Sequence, residues 1–318
     1  MSPDLLAFLK WWLFVFVVGW VVFPITHRFF KNVDDRGFTI TKVLGVLLVG
    51  YVHWILNLSG LLQNTAAGIL MAILIVAALT IWQLRKTGWQ EFKGWVAQHY
   101  KFILISELIF LLAFVGMAWL RAYNPDVSGT EKPMEMMFIN SILRSLSFPP
   151  NDAWLSGYSI SYYYFGYILV AMIAKFTATS AGVAFNLAIA LIFALSFSAA
   201  FGVVINILSK LEEKALLAPS RLLKLTPAAL IGPIILLVVG NFYGILDVLH
   251  NHHIFAELNV PAVWFETGSI DQNTQTVVEP QVIAGKINFW EWMDLKQLNP
   301  IPAKDEPFKG IQIGRAHV

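Results

Sequence analysis

Glu131 and Glu135 lie four residues apart in the stretch Gly129-Thr-Glu-Lys-Pro-Met-Glu, a spacing that stacks two side chains on one face of a helix. Pro133 falls in what would be the first turn, where a missing N–H is harmless. The residues therefore predict a helix over about 131–146. Wound at 100° per residue, it carries Glu131, Glu135, Ile139, Ile142 and Leu146 on one stripe, with Asn140, Ser141, Arg144 and Ser145 on the other side. Two carboxylates thus lead an apolar face. In a partly buried setting, such a carboxylate can act as a general base on an acceptor group or help hold a divalent cation. A competing reading is electrostatic, because acids in a first turn are favoured by the helix dipole and the free amide groups. Asp152, just after Pro149 and Pro150, could join the pair, although Asp after Pro is also ordinary turn chemistry.

A second group of interest is Ser161-Tyr-Tyr-Tyr-Phe-Gly-Tyr167. Tyr162, Tyr163 and Tyr164 could form a platform on which a sugar ring or an isoprenoid chain stacks, with hydroxyls to spare for hydrogen bonds; equally, they could be an interfacial aromatic belt. Lys132 could steady a phosphate, or form a solvated ion pair with its neighbour. His250, His252 and His253 with Glu257 fit no common structural metal site. Ionisable residues inside apolar spans are functional candidates in their own right, so His53, Glu107 and Asp247 support an alternative reading, a membrane transporter or channel. Those three sit in different apolar blocks with no evident partners, and no inverted repeat of broken helices is visible.

The elements that must position these groups are hydrophobic. The 318 residues are 57% hydrophobic and 13% charged, with a mean hydropathy of +0.65; a soluble domain is about 25% charged. The apolar residues come in blocks of about 20, the length that crosses roughly 30 Å of hydrocarbon as a helix. Seven blocks are drawn, near 5–24, 38–62, 65–84, 101–121, 160–178, 183–208 and 227–249. The expected fold is an all-α polytopic transmembrane bundle of about seven spans, with a juxtamembrane amphipathic helix in the loop after the fourth span. Gly240 and Gly244 would let a neighbouring helix approach the last block closely. A net charge of +2 is too small to imply a nucleic-acid partner, and none is expected; the absence of Cys excludes disulfides and thiol nucleophiles. Membrane lipid is the expected surrounding, and localisation in the plasma membrane as a multi-pass protein follows.

Strict alternation of seven spans places Arg28, Lys31, Arg36, Lys42, Arg85, Lys86, Lys93, Lys101 and Lys175 on one side. Arg121, Lys132, Arg144, Lys210, Lys214, Arg221 and Lys224 fall on the other. Lys and Arg mark the cytoplasmic side, which makes the acidic loop 122–159 extracytoplasmic. If 210–224 is cytoplasmic instead, a neighbouring block must be re-entrant or wrongly counted, and the tail after 250 changes sides. The polar tail after about 250 contains no complete domain and ends in Ile313-Gly-Arg-Ala-His-Val318, which reads as an adapter-encoded peptide, so the chain is expected to be an amino-terminal fragment.

Several strings occur together and in order: Gly129 to Met134, Phe148-Pro-Pro-Asn-Asp-Ala-Trp154, Tyr162 to Tyr167 and Phe185-Asn-Leu187. The chain resembles the Tyr-Tyr-Tyr (YYY) integral membrane protein family, a domain of unknown function grouped with the C-type (GT-C) glycosyltransferases. The resemblance covers about 121–250, and more loosely Gly240-Asn241 and Trp290 to Asp294. It implies an accessory set of helices over 1–100, a GT-C-like membrane core over 101–250, and a partial extramembrane segment over 251–318. It further implies sugar transfer from a polyprenyl-phosphate-linked donor. Glu131 would be the catalytic or metal-binding acid, with Asp152 and Glu135 assisting; Lys132, Tyr162, Tyr163, Tyr164 and Asn241 would contact substrate, and a divalent cation is a possible cofactor.

Overall fold

A backbone in hydrocarbon must satisfy its own N–H and C=O groups, so each apolar block is driven into a helix. The computed structural model describes residues 2–127, 129, 131–211, 220–240, 249–250, 252–255, 257–265 and 282–288. The chain divides into two units, Met1–Leu237 and Val238–Val318. The first is helical: α1 (Pro3–Phe29), a 3-10 turn at Phe38–Ile40, α2 (Thr41–Leu58), α3 (Ala66–Thr87), α4 (Trp89–Tyr123), α5 (Lys132–Arg144), α6 (Phe165–Thr177), α7 (Ala181–Leu211), α8 (Ser220–Ala229) and α9 (Ile231–Ile234), which runs into a π turn. Among the described residues, five helices are long and apolar enough to cross a bilayer: α1, Phe38–Leu58, Ala66–Arg85, α4 and α7.

The second unit contains an antiparallel pair, β1 (Asn259–Phe265) and β2 (Val282–Asn288), in register from Asn259 opposite Asn288 to Phe265 opposite Val282. The membrane unit is helical as expected, but this pair is an addition to the all-α expectation. Seven-residue strands fall below a search for 20-residue apolar blocks, and Val260, Val263, Trp264 and Phe265 are residues that suit a strand. Asp247, Gly244 and Asn241 lie outside the described residues.

α1 and α2 form a tight antiparallel hairpin. Gly45 allows this, since a Cβ there would come within 2.6 Å of the Val18 carbonyl oxygen, and Gly19 lies against Lys42. The end of the bundle holding the 30–37 turn is here called lower, and the end holding the 59–65 turn upper. α4 and α7 also run antiparallel. Near the upper end Arg121 Nε donates to Asn186 Oδ1 at 3.0 Å; further down, Phe102 stacks with Phe201. At the lower end the Ser209 hydroxyl donates to Asp34 and the Asp35 amide donates to Asn206 Oδ1.

α7 therefore starts at the upper end, where α4 finishes; the described residues show five of the seven expected spans, and part of the last expected block, 227–249, lies outside them. The block at 160–178 forms only the 13-residue α6, about 20 Å long at 1.5 Å per residue, too short for the roughly 30 Å it would have to cross. Both of its ends sit high in the bundle. At its start the Tyr164 hydroxyl accepts from Trp54 Nε1 at 3.3 Å. At its finish the Thr177 carbonyl accepts from Lys10 Nζ at 3.2 Å, and Trp11 Nε1 donates to Thr179 Oγ1 at 3.1 Å. The hairpin register puts Trp11 and Trp54 at nearly the same level. α6 thus lies across the upper bundle over Gly50, which Leu169 contacts. Lys175 moves accordingly: its Nζ donates to the Asn64 carbonyl at 2.7 Å, at the upper end.

Inside the bundle, Lys42 Nζ meets Glu107 Oε1 at 2.6 Å and lies 4.8 Å from the Phe110 ring centroid. Glu107, expected to lack a partner, is paired, and so is His53, whose Nε2 meets Asn64 Oδ1 at 3.2 Å. Removing one member of a buried pair strands the other's charge at a cost of about 3–5 kcal/mol. Glu107→Gln should therefore lower the unfolding midpoint sharply in detergent, and a second change, Lys42→Met, should recover most of the loss.

The absence of Cys makes the path of α6 directly measurable. Single cysteines at Gly60, Tyr123 and Ser180 should react with an impermeant maleimide from one side of the membrane, and those at Arg36 and Lys210 from the other. Ser180 labelling with the Arg36 group would mean that α6 crosses.

Candidate functional site

The expected acidic helix exists as α5, with Pro133 in its first turn and Glu131 at the N-cap. The Glu131 side chain makes no capping hydrogen bond, so its carboxylate is not spent on the helix end. α5 is amphipathic, and Phe138, Ile139 and Ile142 are buried. Leu146, placed on the same stripe by winding alone, lies beyond the helix end and is exposed.

Two asparagines of the α2–α3 hairpin hold this helix down. Asn64 Nδ2 donates to the carbonyls of Ile142 (2.7 Å) and Ser145 (2.9 Å), two of the C-terminal acceptors that a helix leaves unpaired. Asn57 Nδ2 donates to the Leu146 carbonyl at 3.1 Å, and its Oδ1 accepts from the Phe148 amide at 2.6 Å. The connection to α6 is fastened to the same helix: Ser141 donates to the Asn151 carbonyl, and residues 151 and 159 pair as an isolated bridge. At the other end of the loop, Asn186 joins Arg121 to the Pro125 carbonyl.

This docking brings the two sequence features together. Phe138, one turn beyond Glu135, stacks on Tyr162 with centroids 5.3 Å apart and packs against Tyr167 at 5.1 Å. Tyr163 packs on Tyr162 at 5.0 Å and is 84% exposed. Tyr167 is the link to the acids. Burial first, then the nearby negative charges of Glu135 and Glu131, push its phenol up to about 12. It therefore stays protonated. The site is a half-buried carboxylate near a neutral phenol, a more exposed carboxylate one turn away, and an open aromatic face.

The other expected residues divide. Tyr164 turns inward to Trp54 and serves packing. Asp152 Oδ1 accepts from the amides of Trp154 (2.8 Å) and Leu155 (3.0 Å), which is the turn role. Lys132 is half-buried and forms no ion pair among the described residues. Asn241 lies outside the described residues. No three of His, Asp and Glu converge on a metal position among the described residues, which covers Glu131 with Asp152 as well as the His250 to Glu257 stretch. Tyr167, Phe138, Asn57 and Asn64 were not singled out from the sequence as site residues. Phe138 was within reach, since it stands seven residues from Glu131 on the same helical stripe.

Two outcomes follow. Asn64→Ala strands two carbonyls, each worth about 1–3 kcal/mol if left unsatisfied in a buried place; faster tryptic cleavage at Arg144, with the bundle still folded, is the expected reading. Tyr167 binds its proton more tightly folded than unfolded, so stability attributable to it should fall as pH rises from about 10, the ordinary tyrosine value, to about 12. Comparison with Tyr167→Phe in alkaline unfolding titrations isolates that portion.

No curated protein and no solved structure matches the chain. Residues 48–290, which include the whole acidic loop, α5, α6 and α7, match the family model described as uncharacterized membrane protein (DUF2298). The match covers more than half of the chain, which therefore belongs to the uncharacterized membrane protein family DUF2298.

Proposed function

We propose that this protein is a membrane glycosyltransferase that takes a sugar from a polyprenyl-phosphate-linked donor at the upper end of its bundle. The observation that carries the reading is the meeting of Glu131 and Glu135 with Tyr162, Tyr167 and Phe138 on one surface. Aromatic faces stack on sugar rings, and a nearby carboxylate can take a proton from an acceptor.

In the proposed reaction the Glu131 carboxylate accepts the proton of an acceptor hydroxyl or amide as its heteroatom attacks the anomeric carbon. The bond from that carbon to the phosphate oxygen breaks, and the polyprenyl phosphate departs with the electron pair. Glu135, beside the neutral phenol of Tyr167, orients the acceptor or stabilises charge developing on the sugar ring. Tyr162 and Tyr163 carry the sugar, and Lys132 faces the leaving phosphate. Asp152 contributes by shaping the turn that supports them.

The re-entrant α6 supports an extracytoplasmic site. With five crossings up to α7, Lys210, Arg221 and Lys224 join Arg28, Lys31, Arg36, Arg85 and Lys93 at the lower end, leaving Lys10, Arg121, Lys132, Arg144 and Lys175 above. The richer end is the cytoplasmic one by the usual bias. Transport through His53 and Glu107 gains no support from residues already paired with Asn64 and Lys42.

Membranes containing the complete gene product, supplied with radiolabelled polyprenyl-phosphate sugars, should transfer label to an acceptor. Glu131→Gln should reduce transfer by about 10²–10⁴-fold, the usual contribution of general acid–base catalysis, at unchanged expression. Full activity in the mutant would remove Glu131 from the chemistry, and absence of transfer from every donor with the wild type would remove the reaction.

A further inference from the structure

The lower end of the bundle carries a groove that the proposed transfer does not use. A cavity of about 400 Å³ lies between the last turns of α1 and α3, lined by Ile25, Arg28, Phe29, Leu79, Trp82 and Gln83. Arg28 is its one charged group; no carboxylate lines it. Among the described residues Arg28 has no ion-pair partner: Arg36 takes Glu91 at 3.7 Å, and Lys42 takes Glu107. The acids nearest in sequence are engaged elsewhere. Asp34 accepts from Ser209, and Asp35 accepts from the Gly37 amide and the Thr39 hydroxyl. The backbone also leaves room for an anion, because the Thr26 and Arg28 carbonyls at the end of α1 already accept from the Phe30 and Lys31 amides.

The apolar part of the lining is exposed. Phe29 is 80% exposed, and Leu79 and Trp82 are more than half exposed. In water this would be an unfavourable surface; on a spanning helix it faces acyl chains, with an indole at headgroup depth. A guanidinium offers paired N–H groups that match phosphate oxygens. Lys31 and Arg85 are the next cations along the chain on either side of the lining. One unpaired cation beside an apolar wall, with no acid in the lining to hold a choline or an ammonium, selects a lipid with net negative charge.

We infer that the groove between the last turns of α1 and α3 binds an anionic phospholipid, with Arg28 on its phosphate and Ile25, Phe29 and Leu79 along the start of its acyl chains. Basic pockets between spanning helices hold headgroups in this way. The inference stands apart from the chemistry at the upper end.

The test is native mass spectrometry of the full chain in detergent, titrated with phosphatidylglycerol and, separately, phosphatidylcholine. A saturable phosphatidylglycerol adduct, preferred over phosphatidylcholine, is expected. Arg28→Gln should weaken it about fivefold, the effect of one juxtamembrane cation, while Arg144→Gln at the upper end leaves it unchanged. An unaltered melting midpoint for Arg28→Gln shows that the fold is retained. Equal binding of the two lipids, wild-type affinity in Arg28→Gln, or displacement by millimolar inorganic phosphate would each overturn the assignment.

Discussion

In hydrocarbon a polar group has no solvent to return to, and the rest of this structure depends on that constraint. It makes the apolar blocks helical, and it also decides where polar side chains can be placed. Lys42 and Glu107 are tolerated in the bundle because each is the other's partner at 2.6 Å, with the Phe110 ring against the ammonium. A buried pair of this kind adds little net stability over an apolar substitute, while its half-removal is costly. Its effect is to fix α2 against α4 in one register.

At the upper end the same constraint is turned to assembly. A helix end leaves carbonyls unpaired, and α5 presents its own to Asn64 on the α2–α3 hairpin. The amide groups of Asn57 and Asn64, together with Ser141, tie a loop of about forty residues to the membrane bundle. Without those ties α5 would be an amphipathic helix free to lie anywhere along the membrane surface. With them, Phe138 is placed under Tyr162 and Tyr167, and the acids come to rest beside a phenol that cannot ionise at neutral pH.

α6 connects topology to site. Its 13 residues cannot reach across the bilayer, so the chain returns to the end from which it came, and both the aromatic string at its start and the Thr177–Thr179 segment at its finish stay above. The consequence extends through the helical unit: Lys210, Arg221 and Lys224 join the other basic residues below, and the groove at Arg28 opens among them.

Much was legible in the sequence. Five of the seven blocks that apolar length marked are helices long enough to span, because some twenty apolar residues have one stable form in a bilayer. Spacing alone placed Glu131 and Glu135 on one face of a helix starting at Pro133. The sequence could not separate α6 from a span, since 160–178 is apolar enough to cross; the difference lies in where Tyr164 and Thr177 find partners on α2 and α1, contacts more than a hundred residues away. It could not choose among the tyrosines either, because four in six residues look alike until α5 is docked. Winding and hydropathy are local properties that a chain carries by itself. Which tyrosine meets the carboxylate, which lysine meets Glu107, and which end receives α6 are decided by long-range pairings of polar groups, and only the tertiary structure brings those partners within reach.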